Sequence, residues 1–129
     1  WWGNHADQRV TAPDPRRATP VRVPDFSLGS HVAPLGLAAG RLGGREGVFV
    51  GLHGSWNRRP HSGYKVVFVP FEQGTPQGLA QDVLTGFLDA EGRARGRPVG
   101  VAVDAQGALL VADDVGNTVW RLAPARALP

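Results

Sequence analysis

The residues best equipped for chemistry fall in one short run, His53-Gly54-Ser55-Trp56-Asn57-Arg58. An imidazole, an indole face, an amide and a guanidinium stand within six residues. Arg pairs bidentately with carboxylates. Trp offers a face for stacking, and His donates, accepts or titrates near neutral pH. The set suits a planar, anionic, oxygen-rich ligand, and it equally suits a solvated loop whose Trp56 packs against neighbouring structure. Arg97 is a second cation of interest, because Gly96 and Pro98 fix it at the start of an extended segment. Arg93 and Arg95 close by read as turn charges, and Arg97 has that reading too. His31 precedes another strand, where a lone His is more often structural than a ligand. Asp113-Asp114 with Asn117 has the ligand types of a calcium loop, but turn chemistry already accounts for these residues. Ser55 and His53 are near neighbours on one loop, so no Ser/His/Asp triad can be assembled. Leu42–Gly47 (LGGREG) lacks the helix and Lys-Ser/Thr of a phosphate-cradling loop.

These residues need strands to position them. Val48–Leu52 (VFVGL) is short, β-branched and bounded by Gly, which predicts a buried strand delivering His53 to its end. Tyr64–Phe71 (YKVVFVPF) is the strongest strand signal. Leu35–Ala38 and Val83–Leu88 predict shorter strands, with Gly43-Gly44 and Glu72–Gly74 as turns. Pro98–Asp104, Ala108–Asp113 and Thr118–Leu122 are three strands joined by tight turns, an antiparallel meander too closely spaced for a crossover helix. Before Phe26, Pro13, Pro15, Pro20 and Pro24 break any periodicity, so that stretch reads as irregular loop. Trp1-Trp2-Gly3 could be the end of a buried strand.

An internal repeat sets the architecture. Pro34-Leu35-Gly36-Leu37-Ala38 returns as Pro98-Val99-Gly100-Val101-Ala102. Gly47–His53 aligns with Ala108–Asp114, and Lys65–Val69 with Thr118–Leu122. The copies differ mainly in one connection, a long loop in the first and a tight turn in the second. Small repeated meanders of this kind predict an all-β chain built of β-propeller blades; a coincidental match within a sandwich is the competing reading. The expected organisation is an irregular inter-blade loop over 1–25, the penultimate blade over 26–88 and the last blade over 89–129.

Composition agrees. The 129 residues include 18 Gly and 11 Pro, which leaves little room for long helices. The 42% hydrophobic fraction comes in blocks, which argues against disorder. With no Cys, disulfides and thiolate chemistry are excluded. The net charge of +3 is carried by scattered Arg and the single Lys65, without the basic stripe of a nucleic-acid surface. No run approaches a membrane span. The absence of Met and the start at Trp1 lead to the expectation of a processed product or a piece of a longer chain.

Five stretches together carry a family resemblance: Gly29–Ala38 (GSHVAPLGLA), His53–Arg58, Gly63–Val67 (GYKVV), Gly96–Asp104 (GRPVGVAVD) and Asp113–Arg121 (DDVGNTVWR). They resemble the C-terminal part of the sorbosone dehydrogenase family, PQQ-dependent sugar dehydrogenases related to soluble glucose dehydrogenase. The resemblance implies a six-bladed β-propeller, periplasmic or extracellular, with pyrroloquinoline quinone (PQQ) and calcium in a central funnel. It implies oxidation of a sugar substrate, with electrons passing to PQQ and then to an acceptor that the sequence does not identify. It places His53 and Arg97 at the cofactor, with His31, Trp56 and Arg58 near it. It assigns no catalytic or metal-binding residue to this chain, because the family's general-base His and calcium ligands fall before Trp1. The isolated chain is therefore expected to be catalytically silent. The alternative is a non-enzymatic β-propeller module binding a glycan or protein partner. A calcium-dependent hydrolase on a similar propeller would need a central ring of carboxylates, and none is evident.

Overall fold

The computed structural model describes residues 22–123. The expectations for Trp1-Trp2-Gly3 and the Pro-rich start lie outside them. Eight strands form two antiparallel sheets, with no helix among the described residues. In the first, β1 (Pro34–Leu42), β2 (Arg45–Leu52) and β3 (Lys65–Glu72) run in order. The two-residue β4 (Thr75–Pro76) pairs with the end of β3, and β5 (Gln81–Leu84) with its beginning. The second sheet is the meander β6 (Pro98–Val103), β7 (Leu109–Asp113) and β8 (Thr118–Leu122).

The pleat explains the packing, because alternate side chains point to opposite faces. Phe49, Val66 and Phe68 leave the first sheet on one face and meet Leu109 and Val111 of the second. The Phe49 and Phe68 rings are tilted, with centroids 4.9 Å apart. Val50, Leu52 and Val67 leave the other face and pack with Val32. β3 is thus buried on both faces, which is why its sequence is a continuous apolar run rather than an alternation. Burying a side chain such as Phe68 stabilises the fold by about 1.5–3 kcal/mol.

The repeat is visible in the backbone. β1 and β6 each begin with Pro and each shifts register in its first residues, between Pro34 and Gly36 and between Pro98 and Val101. The sheets approach closely at these starts. A Cβ on Gly36 would fall onto the carbonyl oxygen of Val99, so only glycine fits there. The equivalent Gly100 has its nearest neighbour, the Ala112 Cβ, at 3.9 Å.

Several strand ends depart from expectation, and β2 starts at Arg45 rather than Val48. β1 is longer than Leu35–Ala38, because its pairing with β2 runs on to Arg41↔Glu46 and Leu42↔Arg45. β5 lies earlier than Val83–Leu88: Gln81 and Asp82 pair with Phe68 and Val67, and the chain turns at Gly86. β4 stands where only a turn and loop were expected.

Candidate functional site

The loop from His53 to Tyr64 leaves β2 and is held against the turn before β1. The amides of His53 and Gly54 donate to the carbonyls of Ala33 and Val32, both at 2.9 Å. His31 and Ala33, on either side of buried Val32, adopt left-handed φ values of 62° and 49°. That conformation is uncommon for residues with a Cβ. Gly54 has φ +97°, and a Cβ there would enter the Tyr64 ring. The Tyr64 hydroxyl donates to the Ser55 carbonyl, and the buried Ser55 hydroxyl accepts the Ser62 amide at 3.0 Å. The Ser55 hydroxyl also lies 3.3 Å from His61 Nδ1. Ser55 is thereby committed to shaping the loop.

The second sheet grips this loop from across the seam. Arg97 Nε donates to the His53 carbonyl at 2.9 Å, and Arg97 Nη2 donates to the Gly54 carbonyl at 2.7 Å. Its guanidinium also stacks over Tyr64. The family resemblance places Arg97 at the cofactor; here its Nε and Nη2 are used inside the protein. His53 Nε2 lies 3.0 Å and 3.2 Å from the two carboxylate oxygens of Asp114.

Asp113 anchors the other side. Its carboxylate accepts the backbone amides of Arg97 and Gly116, each at 2.8 Å, and the Trp120 indole N–H at 3.2 Å. Burial alone would raise its pKa. The amides of Gly116 and Arg97, the Trp120 indole and the Val115 amide outweigh that, so it titrates below the ordinary carboxylate range.

The other sequence-predicted residues stand apart from this clasp. Arg58 Nη1 donates to the Ser30 hydroxyl at 2.9 Å, beside a cavity of about 280 Å³ that Lys65 and Asp82 also line. Trp56 is 82% exposed, leaving its indole face open to a ligand. His31 is exposed on the turn before β1. Among the described residues no group of three or more His, Cys, Asp or Glu is arranged to hold a metal ion. An open groove of about 440 Å³ runs beside Asp113, Asp114, Asn117 and Thr118.

Sequence reasoning thus brought His53 and Arg97 together but passed over Tyr64, Asp113 and Asp114. A signal for Asp114 existed, since the repeat aligns it with His53. Asp113 and Asp114 were assigned to turn chemistry, which is correct for Asp113 as far as its bond to Gly116 goes.

Known proteins share this arrangement of sheets. A PQQ-dependent pyranose dehydrogenase from Coprinopsis cinerea is 37% identical over 115 residues, covering 75% of this chain and 16% of that protein. The holo form of the pyranose dehydrogenase PQQ domain from C. cinerea superposes with a TM-score of 0.55 at 37% identity, covering 69% of this chain and 26% of that one. The calcium structure of a Trichoderma reesei carbohydrate-active enzyme of family AA12 reaches a TM-score of 0.73 at 24% identity, covering 95% of this chain and 33% of that one, and shows the shared fold. The two meanders are blades of β-propeller type. The chain spans between 16% and 27% of the length of the curated relatives it matches. The TrAA12-like family description matches residues 5–125, and the chain belongs to that family.

Proposed function

We propose that this chain forms two blades of a PQQ-dependent sugar oxidoreductase and supplies part of the wall of its cofactor site. The observation that carries this reading is the meeting of His53 and Arg97 at the seam between the blades. It occurs in a chain 37% identical to a PQQ-binding domain. PQQ is a planar quinone bearing carboxylates. The seam offers such a group the His53 imidazole beside the Arg97 charge, and the same loop carries the exposed Trp56 indole as a separate stacking face.

A bound quinone would supply the two-electron acceptor for oxidation of a sugar. The protein's part is placement and charge. Arg97 holds the backbone of His53 and Gly54 and brings a positive charge to the seam. With Nε2 turned to Asp114, His53 presents Nδ1, which in the neutral ring can accept a hydrogen bond from an N–H such as the pyrrole N–H of PQQ. Trp56 offers a stacking face. This reading assigns neither the general base nor a calcium ligand to the residues of this chain. In this reading the ring has six blades, the 26–88 and 89–129 segments are its last two, and the protein works in the periplasm or outside the cell.

The test uses the complete protein that carries this chain. PQQ is titrated into it, and dye reduction is followed with a panel of pyranoses and other aldoses. Tight PQQ binding with sugar-dependent dye reduction is expected, with weaker PQQ binding in His53→Ala and Trp56→Ala. If the wild-type protein binds no PQQ, a non-redox binding module takes the place of this reading. If both variants bind PQQ as wild type does, the site lies elsewhere. The 129-residue chain alone is expected to reduce no dye.

A further inference from the structure

We propose that Asp114 is the positioning residue for His53: it keeps the imidazole proton on Nε2 and leaves Nδ1 as the ring atom offered to a ligand. The inference rests on the reading of His53 as a cofactor-side residue, and its geometry is independent of that reading.

The proton's place follows from the partners. A carboxylate only accepts hydrogen bonds. His53 Nε2 lies within hydrogen-bond distance of both Asp114 oxygens, so it must be the protonated nitrogen. In the neutral ring Nδ1 then carries the lone pair. Among the described residues no group engages Nδ1.

The pair is held from both ends. On the His53 side, the amide is fixed by Ala33 and the carbonyl by Arg97, so only side-chain rotation remains. The side chain is 18% exposed, against 53% for Asp114. On the Asp114 side, the preceding residue is buried Asp113, with its carboxylate bonded to the Arg97 and Gly116 amides and the Trp120 indole. Asp114 thus follows directly on an anchored residue. The two residues also hold equivalent places in the repeat, each just past the second strand of its meander. One blade presents the imidazole and its neighbour presents the carboxylate that orients it. Such outer partners set the tautomer and orientation of functional histidines.

The complete protein is labelled with ¹⁵N-histidine, and the ring nitrogens are read by NMR above the titration range of imidazole. The His53 signals are assigned by their loss in His53→Gln. The expected wild-type ring carries its proton on Nε2. Asp114→Ala should convert it to a mixture of tautomers, and Asp114→Glu should restore the single form. A wild-type proton on Nδ1 overturns the proposal without recourse to any variant. A tautomer unchanged in Asp114→Ala overturns it as well. PQQ titration provides a second readout. Asp114→Ala should weaken binding roughly tenfold, because the ring that meets the ligand loses its fixed tautomer and orientation. In a His53→Ala background it should add nothing, and a fully additive loss overturns the role. If wild-type protein binds no PQQ, the cofactor reading fails, while the nitrogen spectrum still decides where the proton sits.

Discussion

The guanidinium carbon of Arg97 sits 5.1 Å from the centre of the Tyr64 ring, so the second blade places a cation on an aromatic of the first. The same side chain donates to two carbonyls of the His53 loop. Arg97→Ala should cost about 2–4 kcal/mol through the lost hydrogen bonds and cation–π contact. Arg97→Lys should recover little, because an ammonium cannot span both carbonyls with a planar fork. Urea unfolding of the three proteins checks this, and a lysine variant as stable as wild type would contradict it.

Asp113 should make the seam acid-sensitive. Its pKa in the folded protein lies below the ordinary carboxylate value. Its stabilising contribution is therefore complete above the unfolded-state value of about 4 and drains away as pH falls through the folded value. Asp104 shifts the same way, chiefly through the Ala108 amide, and so does Asp89, chiefly through the Arg93 amide. Asp113 is the buried residue of the three, so it should dominate. Asp113→Asn should lower stability by about 2 kcal/mol at neutral pH and flatten its decline below pH 4. Denaturant midpoints measured from acid to neutral pH report both effects.

Two glycines in equivalent repeat positions should respond unequally to alanine. Gly36→Ala drives a methyl group into the Val99 carbonyl and should cost about 1–3 kcal/mol. Gly100→Ala meets only the Ala112 Cβ at 3.9 Å and should change stability by less than about 0.5 kcal/mol. Thermal melts of the pair give the comparison directly.

Trp56 separates ligand effects from stability. It is 82% exposed, so Trp56→Ala should leave unfolding within about 0.5 kcal/mol of wild type. The same change should weaken PQQ binding in the complete protein. A large stability loss would show that the indole packs in the fold rather than serving a ligand.

The elements that could be read from sequence were those whose burial leaves a mark on every residue. β3 declared itself through the unbroken run from Val66 to Val69, all buried. The meander β6–β8 followed from its short turns. Strand ends were less visible, because Arg41, Gln81 and Asp82 belong to strands by pairing while their side chains face solvent. At the site, residue type gave His53 and Arg97 a role but not a direction. Whether Arg97 points at a ligand or at the His53 carbonyl depends on how two blades dock, and that contact joins residues 44 apart. Asp114 was hidden for a related reason: a turn aspartate looks the same whether it faces water or the histidine of a neighbouring blade.

The clasp also has a direction in time. The ribosome adds His53 44 residues before it reaches the arginine that ties it down. At about 5–20 residues per second, that interval lasts roughly two to nine seconds. Through those seconds the loop has Tyr64 and the Val32–Ala33 turn to lean on, but neither Arg97 nor Asp114. The local half of the loop's contacts can therefore be made during synthesis, and the inter-blade half only after the next blade has arrived.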